Sequence, residues 1–217
     1  YSTDGSGYPM AVSFYDNVGN LYNAKFNLIK SSETSNNDFS VRISDILGPD
    51  GKSILSRWDE ATSTYVSTGQ TFSFGGVDVA ADNYEVNPTT GEITVVNIDE
   101  WPKLSFNGKT GAFNTVTEAG GTATAGDVVK SLNIKINNAA AGDGSDGLVK
   151  SFPDTGVDID FSNLTNYASN GACSVKPNRG DTSGNDAGNM AGKLNGFSIQ
   201  TDGKIYAVPT YKDSSLS

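Results

Sequence analysis

Met10-Ala11-Val12-Ser13-Phe14-Tyr15-Asp16-Asn17-Val18-Gly19-Asn20-Leu21-Tyr22-Asn23-Ala24-Lys25-Phe26-Asn27-Leu28 holds two alternating stretches around one turn. Met10, Val12 and Phe14 alternate with Ala11 and Ser13, and Ala24, Phe26 and Leu28 alternate with Lys25 and Asn27. A period of two puts one face of a strand in a core and the other in water, as antiparallel sheets do. Between the two lies Asp16-Asn17-Val18-Gly19-Asn20, where Gly supplies a positive φ and Asp and Asn tolerate it.

The same pattern recurs outward from this stretch. Phe39, Val41 and Ile43 alternate with Ser40, Arg42 and Ser44; Leu132, Ile134 and Ile136 with Asn133 and Lys135; Val157, Ile159 and Phe161 with Asp158 and Asp160. Turn chemistry separates the runs at 48–51, 87–91 and 107–111, and Thr201-Asp202-Gly203-Lys204 between Ile199 and Ile205 predicts a hairpin. Helical spacing is confined to Phe161, Leu164 and Tyr167, enough for one short turn. The predicted fold class is therefore all-β, an antiparallel barrel or sandwich of short strands with long Gly- and Asn-rich loops at 138–147 and 170–192. Residues 52–103 carry their own aromatic set, Trp58, Tyr65, Phe72, Phe74, Tyr84 and Trp101. This predicts an inserted β subdomain within a main β domain of 1–51 and 104–217.

Composition excludes several functions. The 217 residues include 15 Lys and Arg against 25 Asp and Glu, a net charge of −10. Such a chain repels nucleic-acid phosphates and anionic lipid. With no His, Ser-His-Asp and Cys-His catalysis and His-ligated zinc are excluded. One Cys permits neither an intrachain disulfide nor a thiolate cluster. No apolar run approaches the ~20 residues of a membrane-spanning helix, and the polar start at 1–7 shows no signal peptide.

The candidate sites each have a plainer reading. Asp158 and Asp160 share a strand face, as a glycosidase or metal pair would, but charged residues normally stay solvated and an exposed face is expected. Asp143-Gly144-Ser145-Asp146-Gly147 lacks the alternating ligands and closing Glu of a calcium loop. Arg179-Gly180-Asp181, the tripeptide of integrin ligands, lies in a Gly-rich loop, and Asn163-Leu164-Thr165 fits the N-glycosylation pattern. Trp58 and Trp101 could stack a sugar, although aromatics dominate core burial and both are expected inside. Cys173 has only Lys176 near it, which gives no reason for a lowered thiol pKa. No nucleophile with its base and no converging metal ligands can be assembled. The expectation is no catalytic residue, no metal, no cofactor and no turnover.

Two blocks resemble the bacterial flagellar hook protein. Phe14-Tyr15-Asp16-Asn17-Val18-Gly19-Asn20-Leu21-Tyr22 is similar to that family's Tyr-Asp-Ser-Leu-Gly-Asn strand-turn-strand, with Asn17 and Val18 where the family often has Ser and Leu. The second block runs from Val157 through Asp160-Phe161-Ser162, Leu164-Thr165-Asn166-Tyr167-Ala168 and Gly192-Lys193-Leu194-Asn195-Gly196-Phe197-Ser198-Ile199 to Asp202-Gly203-Lys204-Ile205. It is similar to Asp-Phe-Ser…Leu-Thr-Gln-Tyr-Ala, Gly-x-Leu-x-Gly-Phe-Ser-Ile and Asp-Gly-x-Ile. The resemblance covers about 10–30 and 156–213; the long middle is only weakly matched, and the family's helical, tube-lining ends are missing.

What the resemblance implies is a structural subunit, the outer β part of a protein that polymerises with itself into the extracellular curved tube joining rod to filament. It implies flagellar type III export without a cleaved signal, and a monomeric isolated fragment, because the axial contacts belong to the ends. In a spirochaete-type member, subunits are joined by lysinoalanine, made from a cysteine that loses sulfur and a neighbour's lysine. Cys173 is the thiol available here; alternatively the reactive position precedes the Tyr-Asp turn, where this chain has Ala11. The competing reading from composition is an extracellular carbohydrate-binding or adhesin β module, which requires an aromatic platform or an ordered calcium.

Overall fold

A computed structural model describes residues 7–31, 37–122, 126–138, 149–166, 188, 193–199 and 205–210. Among them are fifteen strands and no helix. The first nine are β1 (Tyr8–Tyr15), β2 (Leu21–Lys30), β3 (Asp38–Leu47), β4 (Ser56–Asp59), β5 (Thr64–Ser67), β6 (Phe72–Phe74), β7 (Val77–Val79), β8 (Tyr84–Val86) and β9 (Ile93–Val95). The others are β10 (Lys103–Phe106), β11 (Phe113–Thr117), β12 (Ser131–Ile136), β13 (Val157–Asp160), β14 (Lys193–Ile199) and β15 (Ile205–Thr210). The chain is thus all-β.

The main sheet has the order β1-β2-β3-β10-β11 and curls into an antiparallel half-barrel. Its first hairpin is the one the alternation predicts. Phe14 faces Tyr22, Val12 faces Ala24 and Met10 faces Phe26. Phe14, Tyr22, Ala24 and Phe26 are buried, while Met10, Val12 and Leu28 pack partly against them. Between β2 and β3 the register slips: Lys25 faces Asp45 but Phe26 faces Ile43, leaving Ser44 as an extra residue. The bulge bends the strand and turns Ile46 inward, so the buried set runs Val41, Ile43, Ile46.

A second sheet, β13-β12-β6-β7, lies against the first. Leu132, Ile134 and Ile136 of β12 and Phe72 and Phe74 of β6 are buried, and the Phe74 ring meets Phe26 of the main sheet with centroids 5.1 Å apart. β6 turns into β7 through Gly75-Gly76, with φ of +51° and +84°. Two consecutive positive φ values are the signature of the tightest hairpin. A side chain at Gly75 would also sit 2.5 Å from Pro102.

The segment 52–103, expected as an inserted subdomain, contributes to this shared architecture. β6 and β7 fall inside it yet β6 hydrogen-bonds with β12, and Phe72, Phe74, Val77 and Val79 belong to the same core cluster as Phe26. The 52–103 boundary therefore does not separate two cores. The short helical turn expected after Val157 is a single turn closed by the Leu164 amide donating to the Phe161 carbonyl at 3.0 Å, with Phe161 buried. At the C-terminal end β14 pairs with β15, Ile199 facing Ile205, which is the hairpin predicted around Thr201–Lys204.

Phe26 is fully buried where the sheets meet, so Phe26→Ala removes both transfer free energy and packing. The expected loss is about 3–5 kcal/mol, read as a lower urea midpoint.

Candidate functional site

The turn of the first resembling block is a rigid cap. The Asp16 carboxylate is buried; its Oδ1 accepts the amides of Val18 at 3.0 Å and Asn20 at 2.8 Å, and its Oδ2 accepts the Asn20 side-chain amide at 2.8 Å. The Asn17 amide donates to the Ser151 carbonyl at 3.0 Å, tying the turn to the segment that carries Phe152. Phe152 packs edge-on against both Phe14 and Tyr22, at 5.8 and 5.9 Å. Burial, and secondarily the charge of Asp16, push the Tyr22 phenol up to about 12. The recognisable residues of this motif are occupied in building the hairpin.

The acidic pair keeps its plainer reading. Asp158 and Asp160 are exposed on β13, the edge strand of the second sheet. Asp158 accepts the Asn133 side-chain amide at 2.8 Å, and Asp160 accepts the Ser162 amide. No group of three or more His, Cys, Asp or Glu side chains converges on a possible metal position among the described residues. Asn163 is exposed in its turn. Ala11 lies on β1 directly opposite Lys25 and carries no sulfur. Cys173, the Asp143–Gly147 loop and Arg179–Asp181 lie outside the described residues. Among those residues, no helix is long and apolar enough to cross a membrane.

The two tryptophans part company. Trp101 is in the core, as expected. Trp58 is not: it is 49% exposed on the β4–β5 hairpin. The reason is local. β4 and β5 form a separate two-stranded ribbon seated on the β8–β9 hairpin, so one of its faces is left to solvent. Trp58 stands opposite Tyr65 and touches it edge-on, centroids 5.1 Å apart at 73°. Tyr65 is fixed from below: its amide donates to the Pro88 carbonyl, and its ring lies over Gly91, where a Cβ would come within 2.7 Å. The Ser56 hydroxyl donates to the Gly91 carbonyl at 2.9 Å and closes the seat.

These residues form one wall of a groove of about 520 Å³. The opposite wall comes from the bulged stretch of β2 and β3 and the turn after β3, bringing Lys25, Asp45 and Lys52 to the same space as Arg57, Trp58 and Glu92. Asp45 organises that wall. It accepts the Ser53 hydroxyl at 2.6 Å and the Ile46 amide at 2.8 Å, and pairs with Lys25 at 3.6 Å. Sequence reading missed this groove because its walls lie far apart in the chain. The local signal was Trp58 itself, named as able to stack a sugar but expected inside.

Comparison with known protein families, with curated proteins and with solved structures finds no match to this chain.

The Tyr22 shift has a testable sign. Its neutral form is favoured in the folded state, so this contribution is complete below the ordinary phenol value of 10.0 and is lost as pH rises through about 12. Urea titrations across that window should show the wild type losing about 2–3 kcal/mol that Tyr22→Phe retains. Equal alkaline slopes in the two proteins would contradict the assignment.

Proposed function

We propose that this chain is the outer β part of a flagellar hook protein, a structural subunit of the extracellular tube between rod and filament. The observation that carries the reading is the order and spacing of the two motif blocks at opposite ends of the sequence. The all-β architecture is compatible with it. The motif residues support it in a second way, because they maintain shape. Asp16 caps a hairpin and Phe161 fills the core. A subunit that bears load in a polymer needs such rigid local geometry, whereas a catalytic motif would present its residues to a substrate.

The partner in this reading is the protein itself, in a homopolymer. Antibodies raised against the fragment should decorate the hooks of cells of the source organism in immunogold electron microscopy. Deleting residues 10–213 from the full-length gene should leave cells without hooks. Decoration of another surface structure, or normal hooks after the deletion, refutes the reading.

If the subunits are covalently joined, the bond involves Cys173 as the precursor of dehydroalanine. Loss of H2S precedes addition of a neighbour's lysine amine across the new double bond, and Ala11, lacking sulfur, cannot take this part. Mass spectrometry of assembled hooks should find a lysine-linked peptide containing residue 173 with one H2S missing. An alkylatable Cys173 in every subunit excludes it.

A further inference from the structure

We propose that the groove between the β4–β5 hairpin and the bulged stretch of β2 and β3 is a binding site for a short acidic saccharide, stacked on Trp58. The inference stands apart from the hook reading and concerns residues that the two motif blocks do not use, Lys25 excepted.

Three observations carry it. The first is the aromatic platform. Half of the Trp58 indole is in water, and its position is held by the edge contact with Tyr65, which itself cannot sink because the Gly91 backbone lies beneath it. An indole held in this way offers apolar area without having to be ordered on binding, the arrangement that lowers the cost of association. The second is charge. Among the described residues, the Lys52 and Arg57 side chains have no carboxylate partner, whereas Lys25 is paired with Asp45. Three cations against the two carboxylates Asp45 and Glu92 leave this groove with one positive charge on a chain of net charge −10. The third is the character of the walls. Hydroxyls of Ser44, Ser53, Ser56 and Thr90 line the groove beside the aromatic rings; the serine protons are given to the Lys25 carbonyl, Asp45 and the Gly91 carbonyl, which leaves these oxygens to accept from sugar hydroxyls. Its volume falls within the ~300–1,000 Å³ typical of small-molecule sites.

Together these select a ligand with an apolar ring face for the indole, several hydroxyls for the walls and a single negative charge for Arg57 and Lys52. A uronic acid has all three. A nucleotide would also stack, but its several phosphate charges would face Asp45 and Glu92 within a strongly acidic molecule, and a neutral sugar would gain nothing from the exposed cations Lys52 and Arg57.

The test uses the whole chain with cellobiouronate, a disaccharide with one carboxylate, as probe and cellobiose as the matched neutral control, followed by calorimetry and by tryptophan fluorescence. Because Trp101 is buried, the fluorescence change should come from Trp58. Cellobiouronate should bind saturably and cellobiose at least about tenfold more weakly. Trp58→Ala and Arg57→Gln should each weaken cellobiouronate binding about tenfold, the size expected from one stacked ring or one charged contact. Trp58→Phe, which keeps a ring on the hairpin, should restore most of the affinity, and added salt should weaken binding. Absence of saturable cellobiouronate binding overturns the proposal. So does equal binding of the two sugars, or unchanged binding by a folded Trp58→Ala or Arg57→Gln protein.

Discussion

The contact between Phe26 and Phe74 joins two sheets that have no strand in common, and the rest of the molecule is arranged around it. Phe26 sits just after the bulge in the main sheet, and Phe74 sits just before the Gly75-Gly76 turn of the second. Both rings are withdrawn from water, so the apolar faces of β2, β3, β6 and β12 form one cluster and not two. The Ser44 bulge matters because it bends the sheet toward this cluster and turns Ile46 into it. The same bulge leaves Lys25 and Asp45 facing each other on the outer surface.

That inward packing determines what is left outside. The β4–β5 and β8–β9 hairpins supply few of the buried side chains and stack on one another at the rim. The turn between β8 and β9 at Asn87–Gly91 is built by the same bonds as the turn at Asn107–Gly111. In each, the Asn side chain accepts two amides, at 2.9 and 3.1 Å, and the closing Gly donates to the Asn carbonyl. One such turn serves the main sheet. The other carries Gly91, which supports Tyr65 and, through it, Trp58.

The strand set was legible because a half-buried strand must repeat every two residues. In β12 the buried residues are those the alternation marks, whereas in β2 and β3 the marked Leu28 and Phe39 are only partly buried and Tyr22 and Ile46 join the buried set. The limits of the middle segment were not legible. Its aromatic residues do not show whether they pack on one another or on a distant strand, and Phe72 and Phe74 pack against Ile134, Ile136 and Phe26. Trp58 and Trp101 illustrate the same point: the two are equally apolar by composition, yet one is enclosed and the other stands half in water.

By itself the sequence determined the all-β class, the faces of the principal strands, the turns and the exclusion of histidine chemistry, since each depends on neighbours within a few residues. It also supplied the motif blocks on which the hook reading rests. Only the tertiary structure decided that residues 52–103 complete the second sheet, that Asp158 and Asp160 remain on an edge, and that Trp58 shares a groove with Lys25 and Glu92. Those outcomes depend on which sheet faces bury one another, and burial is shared between residues dozens of positions apart, where local pattern carries no information about the partner.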